Sequence, residues 1–328
     1  MLFSDFAGNE KVKENLTRLI QSGRLPHAIV LEGAEGLGKR TLARALALEL
    51  FCRNSDDGAC RKCPQCSKVI QGIHPDLYEY TAPGSARSFS VDKVRQIRED
   101  AFVRPNEADY KIYILGNCQC MSDQAQNALL KILEEPPSYA IFILTVDTKS
   151  ALLETVLSRS AVFTLEGTDS HIGAEYICSH CEDIDYEAAE TAVSVWGGNI
   201  GKAIDSLSDG KLSKINEIAC NICNALTDEN EYALLTACSV FERDRDTLTA
   251  VCLVLKTIFR DAMLMGDNGG VMSGQRDVAQ ALSYKLSREK LLKLIYACDN
   301  IRVLAVKNGN NAILITKICY EFRRAQNR

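Results

Sequence analysis

The residues best suited to chemistry form a glycine-rich turn. Gly33 and Gly38 flank four residues, Lys39 follows directly, and the turn joins a short apolar run, 29–31, to a helical pattern. Glycines let backbone N–H groups point inward, and a helix N-terminus adds partial positive charge, so such a turn can bind phosphate. The lysine would reach the outer phosphates. The sequence therefore predicts a phosphate-binding P-loop made by Gly33, Gly38 and Lys39.

The groups that hold magnesium in such a site are missing. The hydroxyl that should follow the lysine is replaced by Arg40, and the hydroxyl of Thr41, one residue later on a helix, points about 100° away. A second metal group is expected at the end of a neighbouring strand, but the predicted strand 111–115 is followed by residues 116–119, which include no carboxylate. We therefore expect weak or no nucleotide binding, with binding but no hydrolysis as the alternative.

Four cysteines form the second candidate site. Cys60, Cys63 and Cys66 make two overlapping C-x-x-C turns, and Cys52 precedes them in what we predict to be a loop. This spacing lets several thiolates converge on one tetrahedral zinc ion. Because four sulfurs leave no open coordination position, the predicted zinc is structural rather than catalytic. The alternative is four buried free thiols without a metal.

Two other groups of residues invite a functional interpretation. His74 lies beside Asp76, as in a metal or acid–base pair, but we expect the two to cap or pin the loop after the cysteines. The C-x-x-C pairs at 178/181 and 220/223 have no nearby residues to complete four ligands, so they are predicted to be incidental thiols.

Composition limits the classes of protein to consider. The 328 residues are 46% hydrophobic, enough for two or three domains, and the formal net charge is −5. A mildly acidic chain is a poor nucleic-acid binder by itself, because that affinity comes mostly from neutralising phosphates. We find neither the basic and apolar regions of a signal peptide nor an apolar run that could span a membrane. The 14 cysteines are therefore expected in a reducing cytoplasm.

Strands and helices that must position these residues alternate along the first half of the chain. Apolar runs predict strands at 29–31, 111–115, 140–145 and 162–165. Helical patterns are found at 5–22, 39–50, 88–101 (with Ser90 as N-cap) and 123–135. Such alternation is typical of a parallel sheet covered by helices on both faces.

The second half of the chain is predicted to contain only helices, broken near 227–230 and 266–270. We therefore expect three domains. They are an α/β P-loop domain over 1–166 with an inserted zinc-binding loop at 52–66, a small helical lid over 167–209, and an all-α domain over 210–328.

These motifs together resemble the bacterial clamp-loader family within the AAA+ ATPases. The residues that carry the resemblance in the first half are 6–9, 23–28, 74–76, 127–137 and 158–160. It is strong to about residue 165 and weaker over 166–208, where 198–203 match the lid motif of the family. Beyond that it rests on helical composition and residues 310–312.

The resemblance implies a role for Arg159 and for the last domain. In this family the arginine at this position is an arginine finger, which reaches into the ATP site of a neighbouring motor subunit, and the last domain is a collar that holds a ring together. Ser160 departs from the usual Ser-Arg-Cys pattern, and Lys202 replaces the arginine with which motor subunits sense nucleotide. Because Arg40 and residues 116–117 replace the magnesium groups, the resemblance implies a non-motor subunit without ATPase activity.

The resemblance also implies partners. They are the ATPase motor subunits (gamma/tau) and the delta subunit, and, through the complex, the sliding clamp and primer–template DNA, without contact with a membrane. Two other functions stay open: an active clamp-loader ATPase of the gamma/tau type, and a small-molecule or RNA-modifying enzyme that uses the zinc as a Lewis acid.

Overall fold

The structure, a computed structural model, describes residues 2–54, 58–81, 89–228, 231–242, 245–265, 273, 275–306 and 311–325. It divides into two compact units, Met1–Thr168 and Asp169–Arg328.

The first unit is built on a five-stranded sheet. The strands are β1 Ala28–Glu32, β2 Leu77–Thr81, β3 Lys111–Gly116, β4 Ala140–Val146 and β5 Ala161–Thr164. Their order is β2-β3-β4-β1-β5, and every neighbouring pair is parallel. The predicted parallel sheet is therefore confirmed, and β1, which leads into the P-loop, lies between β4 and β5.

Helices cover both faces of this sheet. They are α1 Glu10–Gln21, α2 Lys39–Phe51, α3 Pro64–Ile70, α4 Val91–Ala101, α5 Asp123–Glu134 and the short α6 Glu154–Leu157. Successive residues of a strand face opposite sides, and accordingly Ile29 and Leu31 pack with α1 and α2, whereas Val30 packs with α4 and α5. The Ser90 hydroxyl accepts a hydrogen bond from the Lys93 N–H, which confirms the predicted N-cap of α4; residue 88 lies outside the described residues.

Three local predictions for this unit were wrong. Strand β2 was not predicted, and the segment after Cys63, predicted as a loop, contains α3, because Pro64 fits the first turn of a helix that Cys63 caps. Helix α1 begins five residues later than expected, because Gly8 and Asn9 have positive φ angles of 71° and 53° that a helix does not accept.

The second unit is helical in the part of it that the structure describes. Its helices are α7 Ser170–His180, α8 Tyr186–Val195, α9 Ile200–Ser208, α10 Lys211–Thr227, α11 Glu231–Cys238, α12 Arg245–Leu264, α13 Arg276–Lys285, α14 Arg288–Val306 and α15 Asn311–Ala325. Helices α7–α9 share one small core, and α10–α15 share a larger one. Of the predicted breaks, residues 229–230 and 266–270 lie outside the described residues. The lid and collar boundaries stay a prediction.

No helix among the described residues combines the length and apolar character needed to cross a bilayer.

Candidate functional sites

The P-loop forms the turn between β1 and α2, and its glycines are needed for the turn itself. Gly38 is the N-cap of α2 with a φ of 77°, and a Cβ atom there would lie 2.8 Å from Cε2 of the buried Phe6 ring. A Cβ at Gly33 would lie 2.9 Å from the carbonyl oxygen of Leu165, and the Gly33 N–H donates to Val146 O at 3.1 Å. Packing alone therefore requires both glycines, whether or not a phosphate binds.

Lys39 already has anionic and polar partners within the chain. Its side chain is 8% exposed, and Nζ donates to Gly33 O and forms an ion pair with Asp147 Oδ1 at 2.7 Å. The other Asp147 oxygen accepts from Gln119 Nε2 at 2.9 Å. The cation predicted to reach phosphate is thus neutralised by a carboxylate. Sequence analysis missed Asp147, although its place two residues after the predicted strand 140–145 was a usable signal.

Arg40 occupies the position of the missing hydroxyl and points to the edge strand. Its Nη2 lies 3.2 Å from Glu79 Oε2, and Arg44, one turn further along α2, binds the same carboxylate through Nε at 2.6 Å and Nη2 at 2.9 Å. Burial raises the pKa of Glu79, but the hydrogen bonds from Arg44 and Arg40 outweigh it and leave the pKa lowered. Because β2 was not predicted, Glu79 was not predicted as a partner either.

Three carboxylates on or after the strands that surround the P-loop are occupied by protein groups. Glu32, at the end of β1, accepts from the Lys149 N–H and from Thr164 Oγ1, each at 2.9 Å. Asp147 and Glu79 hold Lys39 and the two arginines. A magnesium ion bound by carboxylates here would therefore have to replace existing ion pairs or hydrogen bonds.

The four predicted metal ligands come together. The Sγ atoms of Cys52, Cys60, Cys63 and Cys66 all lie within 4.8 Å of one another. In a tetrahedral site with Zn–S distances of about 2.3 Å, the sulfur–sulfur separations are about 3.8 Å, so a small contraction would complete the coordination. Among the described residues, this is the only group of three or more His, Cys, Asp or Glu side chains so arranged.

Backbone N–H groups support the thiolate form of this cluster. The Cys60 N–H donates to the Cys52 sulfur at 3.2 Å, and the Cys63 N–H donates to the Cys60 sulfur at 3.4 Å. Hydrogen bonds from the N–H groups of Lys62 and Cys63 lower the pKa of Cys60 to about 6, whereas burial raises the pKa of Cys66. Since a bound metal deprotonates its thiol ligands, the donor set fits a zinc ion held by four sulfurs.

Neighbouring residues fix the cluster to the rest of the unit. Arg61 forms an ion pair with Asp5 at 2.6 Å, and the buried Glu49 accepts from the Phe3 N–H at 3.0 Å. The cysteines therefore lie at the contact between the N-terminal segment, the end of α2 and α3.

His74 and Asp76 have structural roles, but the loop that Asp76 binds is 106–108 rather than the predicted loop after the cysteines. The His74 ring stacks on Phe51 at 4.1 Å, its Nδ1 accepts from the Asp76 N–H, and Nε2 therefore donates to Gln65 Oε1 at 2.7 Å. The fully buried Asp76 carboxylate accepts hydrogen bonds from the backbone N–H groups of residues 106–108 at 2.6–3.0 Å. The pair therefore pins the loop before β3.

We expect Asp76→Ala to lower the free energy of unfolding by roughly 3 kcal/mol, because it leaves several buried N–H groups without acceptors. Asp109→Ala, at an exposed aspartate of the same loop, should change it by less than about 0.5 kcal/mol. Denaturant titration of both variants measures the difference, and equal stabilities would contradict this role.

The contribution of Asp76 should also depend on pH. Burial raises its pKa, but the hydrogen bonds from residues 106–108 outweigh burial and leave the pKa lowered. A carboxyl whose pKa is lower in the folded state stabilises the fold above its unfolded pKa and stops doing so as the pH falls through its folded pKa. The difference between wild type and Asp76→Ala should therefore shrink as the pH falls below about 4.

Arg159 lies at the surface of the first unit, in the turn after α6. Nη1 donates to Thr155 O at 3.0 Å and to Ser158 Oγ at 3.3 Å, and Nη2 forms an ion pair with Glu134 Oε1 at 2.9 Å. Its side chain is 36% exposed. A guanidinium held in this way presents a permanent positive charge to the surroundings.

The remaining predicted residues do not join these sites. In the second unit, Lys202 Nζ lies 5.5 Å from the centre of the Trp196 ring, a cation–π contact. Cys178 donates to Ile184 O at 3.7 Å and Cys220 to Gln275 Oε1 at 3.3 Å, so these two thiols make ordinary local contacts.

Comparison with known proteins identifies the first unit. Residues 8–169 match the family described as "DNA polymerase III, delta subunit". The DNA polymerase III subunit gamma of Buchnera aphidicola is 32% identical over 165 residues, 50% of this chain and 45% of that protein. The subunit tau of Bacillus subtilis is 33% identical over 162 residues, 49% of this chain and 28% of that protein. The chain thus spans less than half the length of these two curated relatives.

Among solved structures, a DNA polymerase III gamma subunit-related protein of Thermotoga maritima is 18% identical, with a TM-score of 0.41. The match covers 95% of this chain and 99% of that protein. A similarity at that TM-score supports no conclusion about this chain.

The parallel sheet and the P-loop turn between β1 and α2 define the first unit as an α/β domain of the P-loop class. Within that class, residues 8–169 are similar to the clamp-loader domains of DNA polymerase III subunits.

Proposed function

We propose that the chain is a non-motor subunit of the bacterial DNA polymerase III clamp loader, of the delta-prime type. In this role it helps to load the sliding clamp onto DNA in the cytoplasm and supplies Arg159 to the ATP site of a neighbouring motor subunit. The observation that carries the proposal is the P-loop, which keeps its shape while Lys39 and Arg40 are paired with carboxylates of the same chain.

These ion pairs oppose ATP hydrolysis by the chain itself. A nucleotide phosphate would compete with Asp147 for Lys39, and the magnesium ion would find a guanidinium where the hydroxyl should be. Phosphoryl transfer depends on positioning and on neutralising charge with metal ions. A site without the metal groups can retain, at most, weak phosphate binding by Lys39 and the loop N–H groups.

The partly exposed Arg159 suits a role in a neighbouring site. A planar guanidinium is always charged and matches phosphate oxygens with two parallel hydrogen bonds. Its Nε–H has no partner among the described residues, so the fork can still donate to an incoming oxygen.

The second unit supports assembly with other subunits. On α14, Leu292, Tyr296 and Val303 are exposed, and intervals of four and seven residues place them along one side of the helix. A row of exposed apolar side chains is typical of a protein–protein contact. We propose that residues 210–328 form the collar that binds the gamma/tau and delta subunits, and that residues 167–209 form the lid.

Two other functions remain to be distinguished. An active gamma/tau-like ATPase is favoured by the names of the curated relatives, which are gamma and tau subunits. It would require magnesium to bind without the usual hydroxyl and strand-end carboxylate. A zinc enzyme would require an open coordination position, which a four-sulfur site does not have.

Reconstitution with gamma/tau and delta subunits tests the proposal. Adding this chain should raise DNA-dependent ATP turnover and clamp loading well above the level of the incomplete mixture, because it completes a neighbouring site. A complex that forms and turns over ATP equally well without the chain would contradict the proposed function.

A further inference from the structure

Glu134 is the acidic partner of Arg159. It is the last residue of α5 and is 49% exposed, and its Oε1 lies 2.9 Å from Arg159 Nη2. Together with Thr155 O and Ser158 Oγ, it fixes both terminal nitrogens of the guanidinium. The arginine is therefore held in one orientation rather than extended freely into solvent.

A buried glutamine joins the elements that carry this ion pair. Gln126 on α5 is 2% exposed, and its Nε2 donates to Ala151 O at 3.1 Å while its Oε1 accepts from the Leu153 N–H at 2.8 Å. These bonds tie α5 to the segment that leads into α6. Near the other end of α5, His27 Nε2 donates to Leu133 O at 3.0 Å.

Hydrogen bonds therefore link the elements that position Glu134 and Arg159: Gln126 joins α5 to the segment before α6, and His27 joins α5 to the start of β1. Free arginine side chains lose much rotamer entropy when they are ordered. Holding the guanidinium before a neighbouring subunit arrives reduces that loss at the moment of phosphoryl transfer.

We propose that Glu134 is a positioning residue for the arginine finger: its carboxylate orients the Arg159 fork toward the neighbouring ATP site. This inference rests on the proposed function of Arg159. The Arg159 and Glu134 side chains are 36% and 49% exposed, against 9% and 41% for Lys39 and Asp147, so water screens this ion pair more strongly than that of Lys39.

The expected effect is moderate, because a half-exposed ion pair contributes little by itself. Glu134→Ala should lower the rate of ATP hydrolysis at the one neighbouring site about fivefold, measured as a slower phase of the pre-steady-state burst of the reconstituted complex. The KM for ATP should stay the same, since Arg159 acts on the transition state rather than on nucleotide binding. Glu134→Gln keeps a hydrogen-bond acceptor but no charge, so its rate should lie between those of the wild type and Glu134→Ala.

The experiment compares Glu134→Ala, Glu134→Gln, Arg159→Ala and the double variant in the complex, with Glu135→Ala as the control at the adjacent exposed glutamate. Thermal melting of each chain verifies that it folds. We expect the double variant to equal Arg159→Ala, because Glu134 acts only through Arg159.

The outcomes separate the inference from the function on which it rests. If Arg159→Ala lowers turnover but Glu134→Ala does not, or if Glu134→Ala lowers turnover further in the Arg159→Ala background, the positioning role is wrong and the proposed function stands. If Arg159→Ala leaves turnover unchanged, both are wrong.

Discussion

Arg159→Ala should lower the rate of ATP hydrolysis at the neighbouring site about 10³-fold in the reconstituted clamp loader, the lower end of the range for arginine fingers. The exposed guanidinium is held by Thr155, Ser158 and Glu134, which the substitution does not remove, so assembly and folding should be unaffected. Arg159→Lys keeps the charge without the planar fork and should recover only part of the rate.

Pre-steady-state hydrolysis measures this effect most clearly. In the variant complex, the amplitude of the initial burst of ATP hydrolysis should fall by the share of one ATP site, while the other sites hydrolyse ATP at their usual rate. Arg95→Ala provides the control, because Arg95 also forms an exposed ion pair, with Asp92 at 3.1 Å, on α4. A burst of full amplitude from the Arg159→Ala complex would exclude a finger at this position.

Loss of the zinc ion should have the second large effect. We expect about one zinc per purified chain, and we expect Cys63→Ser to abolish tight binding, since structural zinc sites bind with apparent free energies of about 10 kcal/mol or more. Cys63 is both a member of the cysteine cluster and the N-cap of α3. Its loss should therefore loosen α3 and the N-terminal segment that Glu49 and Arg61 hold against it.

Metal analysis and hydrogen exchange test this prediction. In the variant or in chelator-treated protein, backbone amides of α3 should exchange much faster than in the native chain. Cys178→Ser, at an exposed thiol outside the cluster, should change neither zinc content nor exchange. Native protein that contains no zinc and has four reactive thiols at these positions would favour the alternative of free cysteines.

The residues of both sites could be found from the sequence because their spacing is local. The P-loop spans seven residues, and three of the four cysteines lie within one turn and one short helix. Apolar runs likewise predicted four of the five strands, because parallel strands that are buried on both faces consist of nearly uninterrupted hydrophobic residues. Strand β2 was missed because its residues, Leu77–Thr81, include Glu79 and only one aliphatic side chain and therefore form no apolar run.

The partners that modify these sites could not be found in the same way. Asp147 is 108 residues from Lys39, and Glu79 is 39 residues from Arg40. The pairing of β1 with β4 brings Asp147 to the P-loop, and Glu79 reaches Arg40 from β2, the edge strand that was not predicted. The electrostatic state of the P-loop is therefore a property of the fold, although its missing magnesium groups are visible in the sequence.

The most direct test of the account is the ATPase activity of the isolated chain with magnesium and primer–template DNA. We predict no turnover above background, and no difference between the wild-type chain and Lys39→Ala, because Lys39 is paired with Asp147 and the magnesium groups are absent. Steady turnover by the isolated chain that Lys39→Ala abolishes would show that the P-loop is an active motor site and would contradict the account.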